Sequence, residues 1–277
     1  MRQACCARCL ESLLQLEVQT ERTKFKVSVI IPVLNEETRL PTLLSSLESQ
    51  SCSTFEVIII DGGSTDRSLR IIDEYKRRAI LDVSVITDTT RNIGYIRNVG
   101  TFYADGTILF HTNSDAYIPK NLIQDIRRAF YRDKSLVCLT GRTHPLESSV
   151  FSHFAYGAFD VLRWLFIKLK YPARKISPSG NFMAIKHSVF KAIGGFPELR
   201  VNEDGELGRK LTQYCADTNA HAHFDLSLWT GHYARRFNQG SLKTIRFYLY
   251  VLGNFSVTLS KWLKPIELQS AEKFATR

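Results

Sequence analysis

The chain lacks an apolar run long enough to cross a bilayer. Spanning helices need ~20 consecutive apolar residues. The charge-free stretch Phe247 to Ser260 falls short of that and is broken by Asn254, Ser256 and Thr258. No long apolar run follows the first residues, so no secretory signal peptide is recognised, and a reducing, cytoplasmic setting is the expectation. Cysteine is sparse, at six residues. Cys5, Cys6 and Cys9 crowd together, but no second Cys/His pair stands at zinc-ligand spacing, which argues against a zinc knuckle. Cys52, Cys138 and Cys215 are scattered. There is neither an internal repeat nor a low-complexity tract. Recognised RNA- or DNA-binding motifs are missing as well.

What is present describes a globular chain. Of 277 residues, 44% are hydrophobic and 23% charged, enough for a sizeable core. Lys and Arg number 37 against 27 Asp and Glu, a formal net charge of +10. That excess implies an anionic partner: nucleic acid, a membrane surface or a phosphorylated substrate. Residues 1–24 are a polar, helix-compatible lead outside the main fold. Strands are expected at Val27–Pro32, Phe55–Asp61, Val83–Ile86 and Thr107–Phe110, where β-branched and apolar residues run together. Helical spacing of apolar residues marks Leu40–Ser49, and further helices are expected through about Arg78, near Ile93–Tyr103 and over Asn121–Tyr131. This alternation argues for βαβ units and a mostly parallel sheet. Later, Ser179–Ile185 reads as a strand, Ser188–Ile193 as a helix and Gly194–Pro197 as a turn. Asn202-Glu203-Asp204-Gly205-Glu206 opens another helix, its acids complementing the helix dipole. Phe151 to Lys170 is strongly amphipathic, which suits a helix packed on the sheet and equally a membrane interface.

The chemistry concentrates at strand ends. In an open α/β sheet, ligands bind at the carboxyl edge of the strands. The central strand breaks into Asn113-Ser114-Asp115, where a carboxylate among small residues can reach a hard cation through oxygen. The same residues also suit a plain strand-end turn. The first strand ends in Pro32-Val33-Leu34-Asn35-Glu36 and the second in Asp61-Gly62-Gly63-Ser64-Thr65-Asp66. Asp61 can accept from a nucleobase N–H or a ribose hydroxyl, and the two glycines let backbone approach a ligand. Arg91 and Arg97, just before the central strand, suit phosphate.

Three ordered blocks resemble a family 2 glycosyltransferase of GT-A fold. They are Val27-Ser28-Val29-Ile30-Ile31-Pro32-x-x-Asn35-Glu36, then Val57 through Asp66, then Asn92-x-Gly94-x-x-Arg97-Asn98-x-Gly100. Gly194-Gly195-Phe196 and Glu203-Asp204 continue the likeness, which covers roughly Lys26 to Leu211. The resemblance implies a Rossmann-like, mostly parallel central sheet flanked by helices. It also implies a hexosyltransferase that uses a nucleotide-sugar donor and a divalent metal, Mg²⁺ or Mn²⁺, and inverts the anomeric carbon. By position, Pro32, Asn35, Glu36 and Asp61 would line the nucleoside pocket, with Arg91, Arg97 and Asn113 also toward the donor. Asp115 would bind the metal, and His232 falls where relatives place a further metal or diphosphate ligand. Asp204 would be the general base within the acidic pair Glu203-Asp204.

The likeness has two departures. Asn113 replaces the first carboxylate of the family's Asp-x-Asp, removing one negative charge. The Gln-x-x-Arg-Trp motif of processive synthases is absent, with Arg235-Arg236-Phe237-Asn238-Gln239 only a faint echo, so a single-addition enzyme is expected. Two rivals stand beside it: a sugar nucleotidyltransferase and a basic nucleic-acid-binding module. The first should carry a Gly-rich, basic phosphate loop after the first strand, where Val33-Leu34-Asn35-Glu36-Glu37 stands instead. The charge supports the second, but no motif does, and nucleic acid is not the expected partner. The expected organisation is an extension over 1–24, a GT-A domain over 25–240 and a C-terminal helical segment over 241–277. Phe247–Ser260 is flanked by Arg246, Lys261 and Trp262, as in helices that lie in a membrane interface. The corresponding expectation is a cytoplasmic enzyme peripheral to the inner face of the membrane, moving the sugar to a hydroxyl or a lipid phosphate of an acceptor glycan or a lipid-linked acceptor.

Overall fold

The computed structural model describes residues 25–90, 92–146, 157, 160–161, 180–198 and 203–233. Arg91, Arg235, the 1–24 extension, most of the 151–170 segment and the 241–277 segment lie outside them.

β1 (Val27–Val33) and β2 (Phe55–Asp61) pair in parallel along their whole length. Every residue of both is buried except half-buried Pro32. Strands covered on both faces favour apolar side chains at successive positions, hence the Val/Ile runs Val29–Ile31 and Val57–Ile60. The ladder from β1 to β4 (Ile108–His111) ends at Ile30↔His111. Pro32, without an N–H, therefore falls where that ladder has already stopped. β3 (Val83–Thr87) pairs in parallel with the other side of β2.

The helices are divided between the two faces. On one face, α1 (Leu40–Glu48) buries Leu40, Leu43, Leu44 and Leu47, α2 (Ser68–Arg77) buries Ile72 and Tyr75, and α4 (Leu122–Arg132) adds Ile123, Ile126 and Phe130 against Val29 and Ile31. On the other, Ile30, Ile58 and Ile60 meet Ile96 of α3 (Ile93–Phe102), Phe190 of α5 (His187–Ala192), and Leu207 and Leu211 of α6 (Glu203–Thr218). The alternation of Val29, Ile30 and Ile31 between the two cores follows from the two-residue repeat of a strand. Asn92 caps α3, its Oδ1 accepting from the Tyr95 N–H at 3.1 Å. Gly100 lets α3 lie directly on the sheet: a Cβ there would stand 2.5 Å from Ile60 Cδ1 and 2.7 Å from Ile30 Cγ2.

β5 (Ala116–Tyr117), β6 (Leu136–Pro145), β7 (Met183–Lys186) and β8 (His221–His232) complete an eight-stranded sheet ordered β3-β2-β1-β4-β7-β6-β8-β5. The first half is parallel. The second is mixed: β7 runs antiparallel to β4 and β6, β8 parallel to β6, and β5 antiparallel to β8. The expected strand over Ser179–Ile185 is shorter than the sequence implies, since Gly180 and Asn181 form a turn.

At the amino edge, away from the strand ends just named, Glu56 is buried. Its Oε1 accepts from Ser28 Oγ (2.5 Å) and the N–H groups of Asp105 (2.9 Å) and Gly106 (3.2 Å), while Oε2 meets Lys26 Nζ at 3.0 Å. Burial opposes ionisation, but the bonds from Ser28, Lys26 and Asp105 and the Lys26 charge outweigh it and hold the carboxyl below its usual range.

Candidate active site

The site is built where β1, β2 and β4 end. The loops after β1 and β2 are stitched together. Asn35 sits in the left-handed region at φ 54°, which Asn tolerates better than most residues. There its Oδ1 accepts from the Thr65 N–H at 2.8 Å and its own N–H donates to Ser64 Oγ at 3.0 Å. The Glu36 N–H donates to Ser68 Oγ at 2.8 Å. Asp61, 1% exposed, accepts from the N–H groups of Gly63 (3.0 Å) and Ser64 (3.1 Å). Gly63 reaches this position at φ +88°, a conformation that side chains resist. Pro32 stands opposite Ile60 in the same ladder. Pro32, Asn35, Glu36 and Asp61 thus share one wall of the carboxyl edge.

The loop after β4 holds two further groups of side chains. In the first, Ala116 of β5 pairs with His232 of β8, which brings His232 Nδ1 to 3.7 Å from Asp115 Oδ1. His232 Nε2 lies 3.1 Å from Thr230 Oγ1, an outer contact that orients the ring and leaves Nδ1 toward Asp115. One carboxylate and one imidazole converge here. Among the described residues no cluster of three or more His, Cys, Asp or Glu side chains is placed to hold a metal. A pair suits a divalent ion that completes its shell with substrate phosphates and water.

The second group surrounds Arg97, which is 3% exposed. Its Nη2 donates to Asn113 Oδ1 at 3.0 Å. Its Nη1 lies 3.6 Å from Glu203 Oε1 and 3.5 Å from Asp204 Oδ1, and its guanidinium stands over the Phe196 ring. Asn113 Nδ2 in turn donates to Asn181 Oδ1. Asp204 Oδ2 accepts from the Gly180 N–H at 2.9 Å. Asp204 Oδ1 is buried and accepts no hydrogen bond among the described residues.

Residues 28–194, more than half of the chain, match the family profile Glycosyl transferase family 2. The chain belongs to glycosyl transferase family 2. It is 36% identical over 102 residues to the poly(ribitol-phosphate) beta-N-acetylglucosaminyltransferase TarS of Staphylococcus aureus, a match covering 36% of this chain and 18% of TarS. It is 27% identical over 213 residues to the O-antigen chain rhamnosyltransferase WbaN of Salmonella anatum, covering 71% of this chain and 66% of WbaN. In three dimensions it resembles S. aureus TarS 1–349 in complex with UDP-GlcNAc, with a TM-score of 0.58 and 22% identity over 83% of this chain and 66% of that one. It also resembles the mannosyltransferase PcManGT of Pyrobaculum calidifontis in complex with GDP-Man and Mn²⁺, with a TM-score of 0.61 and 18% identity over 80% of this chain and 64% of that one. The chain thus spans a small part of full-length TarS and about two thirds of the others. These likenesses establish the GT-A type of glycosyltransferase fold expected from the motifs.

Within this family 2 chain, the structure joins sequence-distant residues into two groups: Asp115 with His232, and Arg97 with Asn113, Glu203 and Asp204. Sequence reasoning passed over three residues of the site. Gly180 and Asn181 fall inside the strand expected over Ser179–Ile185, although a glycine and an amide before the apolar run from Phe182 are also a turn signal. His111 falls one residue past the expected strand Thr107–Phe110, and its sequence context gives it no role. It is 0% exposed, stacked on Phe190 at 5.3 Å and edge-on to Phe196 at 5.2 Å. Neither ring nitrogen has a hydrogen-bond partner among the described residues. Burial first, then the charges of Arg97 and His187, hold His111 neutral far below the usual histidine range.

Proposed function

We propose that this family 2 chain transfers a hexose from a nucleotide-sugar donor to an acceptor hydroxyl, in one displacement that inverts the anomeric carbon. The observation that carries the reading is the Asp204 carboxylate at the start of α6: its side chain is 32% exposed, its Oδ2 is held by the Gly180 N–H, and Arg97 joins it to the Asn113–Asp115 loop. A carboxylate so held, and open on one side, can take a proton from an acceptor. As the bond from acceptor oxygen to the anomeric carbon forms, Asp204 accepts the acceptor's proton, and the bond from carbon to phosphate oxygen breaks to release a nucleoside diphosphate. General-base assistance of this kind contributes ~10²–10⁴-fold.

In this reading the wall formed by Pro32, Asn35, Glu36 and Asp61 receives the nucleoside, and Arg91 is assigned to the donor by its place in the sequence alone. Asp61 is already engaged by two backbone N–H groups, so it presents a fixed acceptor edge. Asp115 and His232 would hold a divalent cation, Mg²⁺ or Mn²⁺, whose chemistry when bound is to offset, as a Lewis acid, charge gathering on the leaving diphosphate. Complexes of structurally similar enzymes with UDP-GlcNAc and with GDP-Man and Mn²⁺ support a nucleotide-sugar donor as a class. The acceptor is a glycan or a lipid-linked group, and the net charge of +10 favours an anionic surface near it.

The test is a screen of UDP- and GDP-hexoses with Mn²⁺ or Mg²⁺, following release of nucleoside diphosphate, with the anomeric configuration of the product read by NMR. Asp204→Asn should keep nucleotide binding and lose transfer by about 10²-fold or more. A retained configuration, or full transfer by Asp204→Asn, would overturn this reading.

A further inference from the structure

The placement of Arg97 does not suit a ligand for the donor's diphosphate. The side chain is 4% exposed, and Gly180 closes directly over it: a Cβ on Gly180 would stand 2.0 Å from Nη2, 2.5 Å from Cζ and 2.6 Å from Nη1. Among the described residues, Phe196 and the Gly180 backbone stand against the guanidinium, where a diphosphate would have to approach. Among the described residues, the groups that do reach it are the Asn113 amide and the two acids that open α6.

We propose that Arg97 is a positioning residue that sets the orientation of Asp204, and that position 113 must be an amide for it to do so. This rests on the reading of Asp204 as the base. One buried cation is shared among three partners. Arg97 faces Glu203 and Asp204, both carboxylates, while its Nη2 is held by the neutral oxygen of Asn113. The attraction toward α6 is then undivided, and Gly180, which covers the guanidinium, donates its N–H to Asp204 Oδ2. The cation steers one oxygen of Asp204 and the backbone amide clamps the other.

A carboxylate at 113 changes this. It would bring a third negative charge to a single buried cation and form the stronger, charge-assisted bond to Nη2, drawing Arg97 away from Asp204. It would also lack the N–H that Asn113 donates to Asn181. The departure from Asp-x-Asp at Asn113 is on this argument a matched feature of the Arg97 cluster. A small error in the placement of a reacting group is costly, since productive geometry is held within fractions of an ångström.

The experiment compares wild type with Arg97→Lys, Arg97→Met, Asn113→Asp and Gly180→Ala. For each, affinity for UDP and for GDP with Mn²⁺ is measured by calorimetry, and kcat and donor KM for transfer are measured with the donor found by the screen. Positioning predicts nucleotide affinity and donor KM within about twofold of wild type, and kcat lower by about 10²-fold in Arg97→Met, Asn113→Asp and Gly180→Ala. Arg97→Lys, which keeps the charge without the planar fork, should fall between. A tenfold loss of nucleotide affinity in Arg97→Lys would make Arg97 a phosphate ligand and overturn the inference. Wild-type kcat in a folded Asn113→Asp or Gly180→Ala would overturn it as well. Should Arg97→Met fail to fold, the other three variants decide. A wild-type protein that transfers from no donor defeats the reading of Asp204 itself, and the positioning role with it; transfer by wild type with unaffected variants defeats the positioning role alone.

Discussion

Removing the Glu56 side chain tests how the sheet is tied together at its amino edge, remote from the proposed chemistry. Glu56 bridges β1, β2 and the turn before β4: its Oε1 takes Ser28 Oγ and two backbone N–H groups, its Oε2 takes Lys26. In Glu56→Ala the Asp105 N–H loses its acceptor, while the Gly106 N–H retains Ser28 Oγ at 2.8 Å, and Lys26, 30% exposed, can return to water. Stranding buried partners of a charged group costs roughly 3–5 kcal/mol. The retained Gly106 bond and the exposure of Lys26 place the expectation near the lower bound, about 3 kcal/mol. For a domain of this size that is a fall in Tm of roughly 6–12 °C. Glu56→Gln keeps an oxygen for Ser28 and Asp105 but sets an amide N–H₂ against Lys26, and should lose about 1–2 kcal/mol. The pH dependence has a definite sign. The folded carboxyl is held below its ordinary value of 4.5, so its contribution is complete above that value and is lost as pH falls through the folded one. Thermal unfolding followed by circular dichroism should show a full gap between wild type and Glu56→Gln at pH 7, narrowing below about pH 4.5. A Glu56→Ala protein that melts within a degree of wild type, or a gap to Glu56→Gln that is the same at pH 7 and pH 3.5, would refute this account.

Three other outcomes are expected. His111 is held neutral by burial, with its folded pKa well below 6.5, so stability is complete above that value and falls with pH below it. The slope approaches ~1.4 kcal/mol per pH unit, and His111→Phe, which removes the titrating ring, should flatten denaturant-measured stability between pH 7 and 5; an unchanged slope would count against it. Asp115→Ala and His232→Ala should each weaken Mn²⁺ binding by about tenfold or more, as read by the Mn²⁺ paramagnetic resonance signal in the presence of UDP or GDP, without lowering Tm by more than a few degrees. Equal Mn²⁺ affinity in both variants would remove the pair as a metal site. For the segment Phe247–Ser260, flotation with anionic vesicles should show binding that weakens with salt and drops when Phe247, Tyr250 and Trp262 become Ser; a protein that stays with the soluble fraction at low salt would exclude the surface role.

What the sequence by itself determined is the half of the fold in which each strand is buried on both faces. β1, β2 and β4 are apolar almost without interruption because helices cover both sides, and their ends are marked by an abrupt turn to Asn, Asp, Ser and Gly. Those ends were legible as a ligand edge, and with Glu203-Asp204 they carried the likeness to family 2. β6 and β8 were not legible. β8 reads His221-Ala222-His223-Phe224-Asp225-Leu226-Ser227-Leu228 and is largely half-buried or exposed, so it has no clean period. It is a strand because β6 pairs with it, with register shifts along the way. Tertiary structure alone decided which polar side chains meet. The antiparallel step Ala116↔His232 is what turns His232 from an isolated histidine into the neighbour of Asp115. Similarly, Arg97 read as a basic residue ahead of a strand, a natural phosphate ligand. The close seat of α3 on the sheet at Gly100 and the cover of Gly180 put its guanidinium among Asn113, Glu203 and Asp204 instead. A charge in a sequence states what it can bind, and only its burial and neighbours state what it does bind.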